Sequence, residues 1–244
     1  MAELTLTSPP GYGKIVMMQR DAHAGLGVKP GLDMRWTAGL NAVFLSAEEF
    51  RVALFHYPIA FTRDSTSGRP IPIAILGLGD RGNFFVDANG KWREDTYVPG
   101  YVRRYPFCLS RRADGQEGVL AVCVQEDCLD ANAPALLDSD GNPTDAFKAQ
   151  HELLRGMEDA QRRTAAFVAE LERLELLVTL NDLIVPRTNT QLHLQGLMRV
   201  DEEKLHALSP DALHGLAQPG YLHAVYSHLS SLANFARLAN IAAK

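Results

Sequence analysis

The sequence predicts an α+β fold, a mainly antiparallel sheet in the N-terminal two thirds packed with long C-terminal helices. Two observations carry this. Up to about residue 125 the apolar residues fall in short runs bounded by Gly, Pro, Asn and Asp, the pattern of strands and tight turns. Beyond residue 150 they recur at alternating spacings of four and three, the period of one helix face. The composition is that of a folded chain, 46% hydrophobic and 22% charged over 244 residues, enough for the core of one domain spanning 1–244. Residues 1–12 read as a flexible tail.

The elements follow in order. Residues 1–35 are rich in Gly, Pro and polar groups and hold one early strand over 15–18. Residues 42–45 read as a strand, and Ser46 with Glu49 three residues on forms a capping box that opens a short helix over 47–55. Pro58 stops that helix, residues 59–62 resume in extended form, and a polar loop over 64–69 leads to a buried strand over 71–76. Residues 83–86 and Lys91–Trp92 read as the arms of a hairpin around Asp87-Ala88-Asn89-Gly90, because Asn-Gly tolerates the positive φ of a tight turn. Strands over 105–110 and 119–125 come next, joined by a turn at Asp114-Gly115.

In the second half Leu153, Met157, Ala160, Thr164, Phe167, Leu171, Leu174 and Val178 form one stripe of a long helix. Leu222, Val225, Leu229, Leu232, Ala236 and Ala239 repeat the spacing near the C-terminus. Both stripes read as core, the two helices packing together within one chain or across a homodimer. Between them residues 191–200 read as a strand and 201–208 as a short helix.

A net charge of −5 gives no positive field for nucleic acid, which is excluded as a partner. The apolar run over 71–78 is far short of the roughly 20 residues that a transmembrane helix needs, so no transmembrane segment is expected. Residues 1–14 lack the basic and then apolar pattern of a secretory signal, which points to the cytoplasm. Cys108, Cys123 and Cys128 read as reduced structural thiols.

Chemical motifs are scarce. Gly77-Leu78-Gly79-Asp80-Arg81-Gly82 matches the spacing of a dinucleotide loop, but the strand-like residues after it replace the helix whose N-terminus would hold a pyrophosphate. The glycines are therefore read as a tight connection. The eight histidines include no spacing that starts a zinc or iron site, and Asp138-Ser139-Asp140-Gly141-Asn142 reads as a solvated turn, not a calcium loop. No G-x-S-x-G elbow is present. The sequence names no cofactor and no metal.

The most unusual segment is residues 97–107, where Tyr97, Tyr101, Tyr105, Phe107 and two prolines interleave with Arg103 and Arg104. Arginine pairs bidentately with carboxylates and stacks on aromatic faces. Tyr57, Asn83, Trp92, Arg103, Arg104 and Phe107 are the candidate ligand-binding residues, for a peptide or an acidic small molecule. The competing reading has the aromatics filling the core and the arginines pairing at a sheet edge. Adjacent arginines on a strand point to opposite faces, which would aim one of them inward or at a pocket.

These residues, with His56-Tyr57-Pro58-Ile59, Leu76-Gly77-Leu78, Gly82-Asn83-Phe84-Phe85-Val86, Gly90-Lys91-Trp92, Tyr97-Val98-Pro99-Gly100-Tyr101 and Arg103-Arg104-Tyr105-Pro106-Phe107 in that order, resemble the SapC family of bacterial proteins, not the transport permease of the same name. The likeness continues in residues 196–202 and 223–232 and makes 1–244 a single SapC-like domain. What it implies is a link by name to a bacterial surface layer, and by gene surroundings to outer-membrane uptake receptors, halogenases and oxygenase-like proteins. It brings no catalytic residues. The leading expectation is a noncatalytic binding or accessory protein that engages a peptide or protein segment. The rivals are an oxygenase-like or cofactor-dependent peptide-modifying enzyme, with ligands such as His193, His223 and Asp201 brought together by the fold, and a structural role at the cell surface.

Overall fold

The structure, a computed structural model, describes residues 6–111, 120–185 and 190–243. The chain enters through β1 (Ile15–Met17), a short helix α1 (Arg20–His23) and β2 (Gly27–Val28). After β3 (Ala42–Phe44) the expected capping box is in place, with the Ser46 N–H and hydroxyl donating to Glu49 Oε2 at 2.9 and 2.8 Å. It opens a 3-10 turn that runs into α2 (Phe50–Ala53). β4 (Ile59–Arg63) and β5 (Pro70–Ile75) pair around the polar loop, followed by α3 (Gly100–Arg103), β6 (Phe107–Arg111), β7 (Leu120–Gln125) and β8 (Leu129–Asp130). The second half holds the 29-residue α4 (Asp145–Arg173), β9 (Leu177–Thr179), β10 (Asp182–Val185), β11 (Thr190–His193), β12 (Leu197–Val200), α5 (Glu202–His206), α6 (Pro210–Ala217), α7 (Tyr221–Ser231) and α8 (Asn234–Ala242).

One sheet has five strands in the order β3-β5-β4-β12-β9 and another has three in the order β1-β7-β6, every pairing antiparallel. This is the expected α+β class. The largest core cluster gathers Val43, Phe50, Tyr57, Phe61, Phe167, Val225 and Phe235 from the larger sheet and from α2, α4, α7 and α8. A second cluster, containing Phe107, Val122, Val124 and Leu154, seats the smaller sheet against α4. No helix among the described residues is long and apolar enough to cross a membrane.

Between β4 and β12 the ladder runs through Thr62–Leu197 and Phe61–Met198, and then an imidazole takes it over. His228 of α7 accepts the Val200 N–H at Nε2 (3.1 Å) and donates from Nδ1 to the Ile59 carbonyl (2.8 Å). Ser231, one turn further on, accepts the Ile59 N–H at 2.9 Å. Burial pushes the His228 pKa down to about 4, helped by nearby Arg199 and opposed by the Ile59 bond, so the ring is neutral with its proton on Nδ1. α7 is thereby tied into the sheet by polar groups as well as by apolar packing.

Several expectations change. The hairpin over 83–92 shrinks to a single bridge between Val86 and Trp92, because the Asn83 side chain accepts the Phe85 N–H at 2.8 Å and curls the chain instead of extending it. The α4 helix ends at Arg173 and Val178 lies in β9; Leu154, one residue along from the half-exposed Leu153, faces the core. The C-terminal stripe divides between α7 and α8 and rotates, burying Val225, His228, Ser231, Phe235 and Leu238. α7 packs on α2, α6, β4 and β12 rather than along α4, which it meets where the Phe167 and Tyr221 rings lie 5.2 Å apart. Residues 191–200 divide into β11 and β12, with Gly196 at φ +71° between them. Within the supposed N-terminal tail Tyr12 is buried and donates to the Phe107 carbonyl at 3.2 Å, while residues 1–5 and the Asp114-Gly115 turn lie outside the described residues.

Candidate functional site

The candidate residues separate into a buried set and an accessible pair. Tyr57 is fully buried, and Trp92, Asn83 and Phe107 nearly so. The Tyr57 hydroxyl accepts the Trp92 Nε1–H at 3.1 Å and donates to the Tyr97 carbonyl. The Asn83 amide donates to Thr37 Oγ1 at 2.9 Å, and the Phe107 ring belongs to the core beneath α4. Their polar atoms are satisfied from within, so these four residues stand behind the site and do not line its surface.

Arg103 and Arg104 sit at the end of a helix, not on a strand, so the expectation that they point to opposite sheet faces does not apply. Pro99 fixes the entry to α3, and Glu49 Oε1 holds its first turn by accepting the Gly100 N–H at 2.6 Å. The same carboxylate oxygen accepts the Tyr97 hydroxyl at 2.9 Å, and Arg103 donates to that hydroxyl at 3.0 Å and to the Val98 carbonyl at 3.1 Å. Tyr97 thus joins two polar groups, its carbonyl taking the buried Tyr57–Trp92 pair and its hydroxyl the Glu49–Arg103 pair near the surface. The capping-box glutamate is the hub of the latter, a second role that the S-x-x-E spacing does not reveal.

Arg104 has a different environment. Its guanidinium carbon lies 4.5 Å from the Tyr101 ring centroid and 5.9 Å from that of Tyr12. Among the described residues no carboxylate pairs with it, and its Nε is buried with no hydrogen-bond partner. Burial pushes the Tyr101 hydroxyl up to about 12 against the opposing pull of the Arg104 charge, and it raises Tyr12 as well. Both phenols stay neutral and leave the arginine charge uncompensated. Trp36 packs on Tyr12 and Tyr101 with ring centroids at 5.0 and 6.2 Å, and its Nε1 is a second buried donor without a partner. Such orphan donors are uncommon in folded proteins.

Arg103 and Arg104 line a groove of about 330 Å³ between α2, α3 and α4. Its apolar lining includes Phe44, Val52, Leu153 and Met157, with Val52 44% and Leu153 39% exposed at the rim. Glu48, also on the groove, is neutralised by Arg163 at 2.5 Å. Glu49 is taken up by the Tyr97 and Gly100 donors and Glu152 is a third carboxylate on the lining, so the groove offers apolar contact area around charges of both signs, with Arg104 unpaired among the described residues.

Other motifs resolve into structure. A Cβ on Gly77 would lie 1.6 Å from the Gly82 carbonyl oxygen, and one on Gly82, at φ +68°, would lie 2.1 Å from that of Ala38. Those glycines let backbones touch, and a 3-10 turn over Gly79–Arg81 stands where a phosphate-binding helix would start. Asp138 accepts the Asp140 and Asn142 amides as the hub of a turn. Asp201 caps α5, His223 is exposed, and the His193 side chain lies outside the described ones. Among the described residues no group of three or more His, Cys, Asp or Glu could hold a metal ion.

Tyr97, Gly100, Tyr101, Arg103 and Arg104 line the candidate groove, and Tyr12 and Trp36, distant in sequence, join Tyr101 in the aromatic cluster behind Arg104. A family model described as SapC matches residues 18–238. No curated protein and no solved structure matches the chain.

Proposed function

The chain belongs to the SapC family, and we propose that it is a noncatalytic binding or accessory protein whose α3 groove captures a peptide or protein segment. The observation that carries this is the Arg104 guanidinium, held by Tyr12 and Tyr101 with no carboxylate partner among the described residues, at a groove rimmed by exposed Val52 and Leu153. A segment bearing an Asp or Glu flanked by apolar side chains supplies what the groove lacks: a carboxylate for the cation and apolar area for the rim. Arg103, engaged only by Tyr97 and Val98 among the described residues, adds a second positive charge at the mouth. The setting is the cytoplasm, in service of the bacterial surface or uptake systems that the family resemblance implies.

The test is an array of random-sequence peptides probed with the protein and with Arg104→Ala. The reading expects selection of acidic residues beside apolar ones, and a loss of at least tenfold in affinity for Arg104→Ala in a protein that still unfolds cooperatively, with its melting temperature lowered by no more than a few degrees. An array with no acidic preference, or equal capture by the variant, contradicts it.

A further inference from the structure

The groove is only part of the space around Arg104. The same guanidinium also lines a wider cavity of about 1140 Å³ between α4 and β5. We infer that this cavity takes a long-chain carboxylate of the fatty-acid class, its head group on Arg104 and its hydrocarbon chain running along α4.

Arg69 and Arg104 are the two arginines on the cavity, and Arg104, clasped by aromatic rings, is the one that takes the head group. Arg104 is half-buried and lines the cavity, no carboxylate among the described residues pairs with it, and a carboxylate is the acceptor that a guanidinium edge takes bidentately. Arg104, Met157 and Gln161 line both the groove and the cavity, which sets the head at that end.

The chain is fixed by the walls. α4 lines the cavity from Leu154 to Glu172, with Met157, Ala165, Val168 and Ala169 as its apolar positions and Glu158, Gln161 and Thr164 as polar ones between them. At 1.5 Å per residue that is about 27 Å of helix, room for an extended acyl chain. Opposite lie Pro70, Ile71 and Pro72. On the β3 side of β5 the Leu45 N–H reaches the Pro72 carbonyl at 3.1 Å, so Pro70 and Pro72 meet that edge without an N–H to offer. A peptide strand adding there would find no donors for its carbonyls. A hydrocarbon chain has no backbone to satisfy. Of the carboxylates on the cavity, Asp64 is engaged by the Ser67 hydroxyl and amide and Glu172 faces Arg63 at 4.0 Å, while Glu158 lies near the head and favours a chain that extends away from it.

This goes beyond the peptide reading and is separable from it, because Ala165 lines the cavity but not the groove. The experiment measures binding of the fluorescent fatty acid cis-parinaric acid to delipidated protein, with displacement by palmitate, by shorter saturated acids and by methyl palmitate. The inference expects saturable binding that weakens as the chain shortens, palmitate at least tenfold stronger than its methyl ester, and losses of at least tenfold in Arg104→Ala and in the cavity-filling Ala165→Trp. Ala165 is exposed, so the tryptophan tests occlusion without rebuilding the core. No saturable binding, an ester equal to the acid, or Ala165→Trp binding like the parent overturns the inference. If Ala165→Trp keeps peptide capture in any of these cases, the peptide reading stands on its own.

Discussion

Arg104 lies over the face of Tyr101, its guanidinium carbon 4.5 Å from the ring centroid, and the Tyr101 hydroxyl is itself anchored by donating to the Pro10 carbonyl at 2.7 Å. The ring therefore holds the cation in position without neutralising its charge. Tyr101→Leu removes a cation–π contact of about 0.5–2 kcal/mol and should weaken peptide capture by a few-fold or more. Tyr101→Phe keeps the aromatic face and should retain most of the affinity. Dissociation constants for the two variants check this, and equal losses in both contradict it.

The histidine bridge between β4 and β12 predicts a pH dependence. The folded pKa of His228 is depressed to about 4, below its ordinary 6.5. Its contribution is therefore complete above about pH 6.5 and falls away as the pH drops toward 4, with a slope of up to about 1.4 kcal/mol per pH unit. His228→Leu orphans the Val200 N–H and the Ile59 carbonyl and should cost about 2–4 kcal/mol at pH 7. Urea denaturation of both proteins from pH 8 to pH 4 should show this difference narrowing below pH 6.5; a constant difference contradicts the assignment.

Tyr57→Phe tests whether the buried candidates act through the fold. It deprives the Trp92 Nε1–H and the Tyr97 carbonyl of their partner. A loss of about 1–3 kcal/mol in stability is expected, with peptide affinity changed less than about threefold. A large loss of affinity at unchanged stability would move Tyr57 into the binding surface.

Gly82→Ala forces a Cβ toward the Ala38 carbonyl at a φ of +68°. A destabilisation of about 3 kcal/mol or more is expected in urea denaturation. A mild effect would reopen the question of why the glycines stand there.

How far the sequence led depends on the kind of signal. Ser46 and Glu49 are three residues apart, so their capping box and the strand before it were legible from local pattern. The class and the strand runs at 42–45, 59–62 and 71–76 were legible for the same reason. Arg103 and Arg104 stood out by composition, but their helical backbone was not evident, because aromatic and proline-rich residues suggest extension until Glu49, remote in sequence, caps Gly100. Tyr12, Trp36 and His228 carry no local sign of their roles, since each acts on partners remote in the chain, as the Tyr12–Trp36 ring contact and the His228–Val200 bond show. The one-residue shift from Leu153 to Leu154 is equally invisible, because both leucines fit a helical period and only the packed partner chooses between them.

The most direct test of the account is fluorescence anisotropy of an array-selected acidic peptide with the parent protein, Arg104→Lys and Arg104→Ala, each at low and high salt. The account predicts that affinity falls in that order, by at least tenfold for Arg104→Ala, and that the salt dependence shrinks with the lost charge. Equal affinities and salt dependences across the three proteins would contradict it.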